Sequence, residues 1–201
     1  MRVMSKAVVA VALAGALGGC SLGGLLGGGG KGPTMLQTLS PEAPDPGTMV
    51  RTVNAGQAVT IGTPTLPKEL RTVRVPVQLN PTDIQYVTGL QWVDTPDRLF
   101  QALVSETVRR TTNRVVLDPR QATLDPGLQV TGALERFGYD SASQQAIVVY
   151  DASLATEGGS RVETRRFTAS VPSDGSGPSV GRALNRAANQ VALDVAKWIG
   201  G

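Results

Sequence analysis

The sequence predicts an α+β fold: a mainly antiparallel sheet with two helices packed on one face, carried at the end of a disordered tether. Three observations point there. Three long β-prone segments late in the chain are separated only by short runs of turn formers. Two segments with apolar residues at helical spacing flank them. The first 47 residues hold a short apolar run and then Gly-rich and Pro-rich sequence that builds no core.

The N-terminus has three zones. Arg2 and Lys6 give a positive start, Ala7 to Leu17 is unbroken small and apolar residues, and Leu17-Gly18-Gly19-Cys20 follows. That is the layout of a secretory signal peptide. The apolar run is too short to span a bilayer, which takes about 18 or more such residues. Cys20 is the only cysteine, and Leu-Gly-Gly-Cys resembles the bacterial lipobox, which is cut before a cysteine that receives diacylglycerol. A thiol suits that transfer because it is the most nucleophilic side chain available. Residues 1–19 are therefore expected to be a removable signal, and Cys20 the lipidation site and membrane anchor. The resemblance implies two or three acyl chains, and two chains anchor firmly where one binds marginally. Ser21, not Asp, follows the cysteine. By resemblance to bacterial sorting signals this favours the outer membrane, facing the periplasm, over the inner. No second cysteine exists for an intrachain disulfide.

Residues 20–47 read as the lipidated cysteine and a flexible tether. Gly23, Gly24, Gly27 to Gly30 and Gly32 crowd its start, and Pro33, Pro41, Pro44 and Pro46 its end. Such a coil reaches roughly 30 Å on average and about 90 Å fully stretched. Gly27-Gly28-Gly29-Gly30-Lys31-Gly32 formally fits G-x-G-x-x-G, but it follows no strand and opens no helix. It also fails as a P-loop, because Gly32 stands where Ser or Thr is needed.

Residues 48–201 read as one domain. Thr48 to Val53 and Ala58 to Ile61 are short β-prone pieces. From Leu70 to Leu79 the residues alternate, with Val73, Val75, Val77 and Leu79 on one face; Pro76 on the other argues for an edge or bulged strand. Val87 to Val93 follows, with Trp92 near its end. A helix then opens at Asp94 or Thr95, with Pro96 in its first turn and Asp97 at the positive dipole end. Its stripe is Leu99, Phe100, Leu103, Val104 and Val108; Arg109 and Arg110 complement its last turn, and Asn113 stops it. Val115 to Leu117 is a short strand. Gly127 to Tyr139, Gln145 to Ala155 and Arg161 to Val171 read as a meander, turning at Asp140-Ser141-Ala142-Ser143 and Glu157-Gly158-Gly159-Ser160. After a loop from Ser173 to Pro178, a helix runs from Ser179 to Ile199 with Val180, Leu184, Ala187, Val191, Val195 and Trp198 in its stripe. The order β-α-β-β-β-α fits an α+β sheet.

Composition excludes more than it proposes. The chain has no histidine, which removes Ser-His-Asp and Cys-His catalysis and His-based metal sites. Only Lys31, Lys68 and Lys197 would survive processing, and no Ser-x-x-Lys occurs. No enzyme activity, cofactor or metal is expected. Losing Arg2 and Lys6 with the signal takes 19 basic residues to 17 against 16 acidic, so the net charge falls from +3 to +1. No basic block marks a nucleic-acid partner; Arg109-Arg110 and Arg165-Arg166 are isolated pairs. Arg165 and Arg166 must point to opposite faces of their strand, which is easiest at a sheet edge and favours subunit pairing. Trp92 is either an anchor for a partner or core packing at the strand–helix junction, the simpler of the two.

The lipobox and tether, Val73 to Leu79 leading into Leu90-Gln91-Trp92, the helix Pro96-Asp97-Arg98-Leu99-Phe100-Gln101-Ala102-Leu103, the strands Leu128 to Phe137 and Ala146 to Leu154, the strand with Phe167 and the last helix together resemble the ABC-type transport auxiliary lipoprotein family. The first strand departs from that family, since Val50-Arg51-Thr52-Val53 lacks its tyrosines. The resemblance implies a periplasmic partner of an MCE-type system that moves lipids or other hydrophobic molecules between inner and outer membranes. Its partners would be an MCE-family protein and its ABC permease and ATPase, and several copies would form a homo-oligomer ring. The alternative is an outer-membrane lipoprotein that activates peptidoglycan synthases, for which a 27-residue tether, 21–47, is short.

Overall fold

The structure, a computed structural model, describes residues 36–200 apart from 49, 55 and 126. The signal peptide, Cys20 and the first part of the tether lie outside the described residues. The described elements are β1 (Val59–Ile61), β2 (Arg74–Gln78), β3 (Ile84–Gln91), α1 (Pro96–Thr111), β4 (Val116–Leu117), β5 (Leu128–Asp140), β6 (Gln145–Thr156), β7 (Arg161–Pro172) and α2 (Gly177–Gly200), with short 3-10 turns between.

The fold is α+β, as expected, but its sheet is mixed, not mainly antiparallel. β2–β3, β5–β6 and β6–β7 are antiparallel, while β1–β4, β1–β5 and β2–β5 are parallel. The centre is β5. One of its edges pairs with β6 from Gln129↔Ala155 to Asp140↔Gln145. The other edge is shared: β1 lies against Leu128–Val130 and β2 against Tyr139–Asp140. Parallel neighbours need long crossover connections, and strands of two to five residues carry too little alternation to reveal their direction. The expected strand over Thr48–Val53 does not form; Val50 is 94% exposed. β2 begins at Arg74, later than its alternation suggested, and Pro76 sits at a register shift against β3. It is a bulge, not an edge, because β3 and β5 flank the strand.

Most other local signals hold, although Thr95, at the N-cap of α1, makes no side-chain capping bond. Pro96 opens α1 after Thr95, and Arg109 and Arg110 stand in its last turn. At the β5–β6 turn, Asp140 Oδ1 accepts from the backbone N–H and hydroxyl of Ser143. At the β6–β7 turn, Gly158 and Gly159 take positive φ of 66° and 92°, open to glycine at no steric cost.

Both helices cover one face, as expected. β6 buries Ala146, Val148, Tyr150, Ala152 and Leu154, and β7 buries Phe167, Ala169 and Val171. Tyr150 and Phe167 are register partners on that face. Phe100 of α1 meets Tyr150 edge-on at 5.1 Å, and Trp198 of α2 meets Phe167 at 5.5 Å. Ala183, Ala187, Ala188, Ala192 and Ala196 are fully buried beside Val180, Leu184, Val191, Val195 and Ile199, so at the five alanines α2 presents only backbone and methyl groups to its neighbours.

Candidate functional site: a strap across the helices

The segment from Leu36 to Ala43 lies on the domain as an extended strap, although its composition reads as tether. Gln37 bridges to the end of β3: its N–H donates to Gln91 O (2.9 Å), and its carbonyl accepts from Val93 N–H (2.8 Å). Leu39 packs against the core. Beyond it, Asn185 and Asn189 of α2 replace a neighbouring strand. Ser40 N–H donates to Asn185 Oδ1 (2.8 Å) and Glu42 N–H to Asn189 Oδ1 (2.7 Å), while Asn189 Nδ2 donates to Ser40 O (2.9 Å). Asn189 Nδ2 also donates to Asn185 O, so its side chain is satisfied although only 6% exposed. Asn185 Nδ2 reaches Glu42 Oε1 at 3.1 Å, and Arg110 Nη1 of α1 donates to Ala43 O at 2.9 Å.

These contacts follow from helix geometry. Gly181, Asn185 and Asn189 are spaced by four and share one face of α2. An ideal Cβ on Gly181 would lie 1.7 Å from Gln37 Oε1, so glycine admits the strap and the two asparagines hold it. The signal was visible as two asparagines four apart on an apolar helix, yet nothing local tells where their partners lie.

Trp92 is 1% exposed and packs on Phe137 at 5.6 Å. It is a core residue beneath the strap and offers no surface to a partner in this arrangement. Cys20 lies outside the described residues. Arg165 and Arg166 stand on β7, which among the described residues pairs with β6 alone and forms a sheet edge. Arg165 lies over the Phe167 ring at 5.2 Å. On the opposite face, Arg166 Nε donates to Asp151 Oδ1 at 2.6 Å, and this bond holds the Asp151 carboxyl below its ordinary pKa. Trp198 Nε1 donates to Glu163 Oε1 at 2.8 Å, tying the end of α2 to the same edge. Burial pushes the Tyr150 hydroxyl up to about 12, so it stays neutral in the core.

Among the described residues no cluster of His, Cys, Asp or Glu is placed to hold a metal, and no helix is long and apolar enough to cross a membrane. The strap's hydrogen bonds run mostly to backbone groups, and they position a chain segment.

Residues 38–196 match a family described as the ABC-type transport auxiliary lipoprotein component. The match begins inside the strap. Among solved structures, the chain is similar to a crystal structure of a Xanthomonas campestris protein, 19% identical with a TM-score of 0.67, over 83% of this chain and 95% of that one. It is also similar to a crystal structure of an uncharacterized protein, 11% identical with a TM-score of 0.62, over 75% of this chain and 96% of that one. At such identities the likeness concerns the fold. No curated protein matches.

Proposed function

The chain belongs to the ABC-type transport auxiliary lipoprotein family, and from that premise we propose that it is a non-catalytic periplasmic lipoprotein serving an MCE-type transport system that moves lipids or other hydrophobic molecules between the inner and outer membranes. The family match over residues 38–196 carries this reading. The lack of histidine supports it, since the commonest general base and triad member is missing.

Cys20 is the anchor in this reading, with two or more acyl chains in the outer membrane. The strap gives the anchor a mechanical purpose. A pull from the membrane reaches the domain first at Leu36 and Gln37 and is borne by the bridge to β3 and by Asn185 and Asn189. The domain then binds an MCE-family protein, with the ABC permease and ATPase beyond it, as one of several copies in a ring.

Affinity capture from membranes in mild detergent is expected to recover an MCE-family protein. Capture that returns the lipoprotein without any MCE component sinks the proposal. Separately, Cys20→Ala is expected to release the domain from membranes or leave it uncleaved, and to abolish palmitate labelling. Retention in the outer-membrane fraction with undiminished label refutes the anchor.

A further inference from the structure

The C-terminal ends of both helices face a cleft of about 850 Å³ that the transport reading does not use, and that shares only Arg110 with the strap's contacts. Its volume lies in the range of small-molecule sites, roughly 300–1,000 Å³. Its chemistry is lopsided. Arg51, Arg110, Arg114 and Lys197 line it, and among the described residues no carboxylate does. The remaining wall is partly apolar, including Val53 and Leu193, and Leu193 is one of the few large apolar side chains that is substantially exposed, at 38%.

The ordinary account of these cations is that they neutralise the helix ends, and part of their charge does so. Arg114 donates through Nη2 to Ile199 O (3.1 Å) and through Nη1 to Gln57 O (3.4 Å). Arg110 donates to Glu106 Oε1 (2.7 Å) and to Ala43 O. A guanidinium has five N–H donors, so each of these arginines has more donors than those bonds use. Lys197 lies 3.4 Å from Asp194, but both side chains are more than half exposed, and such a pair is weak and easily exchanged. Capping explains why arginines stand here. It does not explain why the space between them is open, with no described carboxylate in its wall, and walled by apolar side chains on one flank.

We propose that this cleft binds an amphiphile with a phosphate-type anionic head: the head meets the Arg51, Arg110, Arg114 and Lys197 cations while the apolar part lies along Val53 and Leu193. Guanidinium forks match phosphate oxygens two at a time, and the apolar flank distinguishes an amphiphile from a free anion. The argument uses the cleft's own residues and does not depend on the MCE partnership.

The test titrates soluble dihexanoyl phosphatidylglycerol, dihexanoyl phosphatidylcholine and inorganic phosphate onto the full chain in non-ionic detergent, read by calorimetry. The phosphatidylglycerol is expected to bind at least tenfold more tightly than either of the others. Arg51→Ala with Lys197→Ala is expected to weaken it at least tenfold. Arg120→Ala with Arg161→Ala, which removes the same charge outside the cleft, is expected to leave it unchanged. Lys197→Ala alone, at an exposed position, serves if the double variant melts early by circular dichroism; a loss of at least threefold is expected. Equal affinity for the two lipids, saturation by inorganic phosphate at the lipid's concentration, or equal weakening by both double variants overturns the proposal. Capture of the transport partner by the Arg51/Lys197 variant reports on the transport reading separately.

Discussion

The β5–β6–β7 meander and the strap are built by opposite means. In the meander each strand is twelve or thirteen residues long and meets its neighbour across a turn of four residues; β6 alternates buried and half-buried side chains along nearly its whole length, β7 alternates over its second half, and β5 breaks step at a register shift near Leu134. The strap alternates only between exposed and half-buried side chains and buries none fully, contains Pro41, and docks on partners far along the chain; Ser40 reaches Asn185, 145 positions away, and Glu42 reaches Asn189, 147 away. Local contacts close small loops and reward each turn as it forms. Distant contacts carry a larger closure entropy and depend on a surface already folded. The meander is thus expected to be the rigid half, and the strap a late and separable addition.

The sharpest way to break that comparison is to strike the meander itself. Gly132 lies in β5 opposite Ala152, and an ideal Cβ there would come within 2.1 Å of Asp151 O and 2.8 Å of the Tyr150 ring. Backbone cannot swing aside as a side chain can. Gly132→Val is expected to cost about 3 kcal/mol, seen as a lower denaturant midpoint in a single cooperative transition. A loss under about 1 kcal/mol would mean that β5 and β6 tolerate a different register.

Asn189→Ala strikes the strap instead. It removes an acceptor for Glu42 N–H and a donor for Ser40 O, groups that water can serve once the strap lifts. The expected cost is about 1–3 kcal/mol, and its distribution matters more than its size. Hydrogen exchange is expected to show Ser40 and Glu42 amides losing protection while Val148 and Tyr150 keep theirs. Equal loosening of both would show that the strap folds with the meander and that the comparison is false.

What was legible follows the same division. The three meander strands, both helices and the Pro96 start of α1 could be read because each rests on neighbours in sequence: a turn, a stripe or a cap. The parallel pairings of β1, β2 and β4 could not, since strands of two to five residues joined through α1 carry no local mark of direction. Thr48–Val53 reads as a strand by residue preference alone, and preference without a neighbouring strand to pair with does not make one. The site shows the same limit. Trp92 drew attention as a large aromatic, and large aromatics fill cores as readily as interfaces. Asn185 and Asn189 went unnoticed because an asparagine on an apolar helix gains meaning only from the backbone it meets, here a segment whose prolines suggest no structure.

Gly181→Ala separates the two halves with a smaller change. Alanine in mid-helix is worth about 1 kcal/mol over glycine, and the atom it meets is the far end of the Gln37 side chain, which can turn away. Global stability is expected to hold or rise slightly while the Val93 amide, which donates to Gln37 O, exchanges faster. A fall of more than about 1 kcal/mol would mean that Gln37 is fixed more firmly than a strap that folds late allows.

The smallest effect concerns acid. Arg166 holds the Asp151 carboxyl below its ordinary value of 3.8. A carboxylate depressed in the folded state contributes stability at pH values above its unfolded pKa and loses it as pH falls through the folded one. The contribution is therefore present from about pH 4 upward and fades below. With no histidine in the chain, no side chain with an ordinary pKa near neutrality adds a further change between about pH 5 and 8. Asp151→Asn is expected to lower the melting temperature slightly at pH 7, and to make its fall below pH 4 shallower. The Arg166 and Asp151 side chains are 65% and 37% exposed, so water and ions screen the pair. In about 1 M salt, where the screening length is near 3 Å, wild type and variant are expected to melt together. A difference that survives that salt would mean the pair acts through the hydrogen-bond geometry of the β6–β7 edge more than through its charge, and that the outer edge of the meander is held more tightly than an exposed ion pair can hold it.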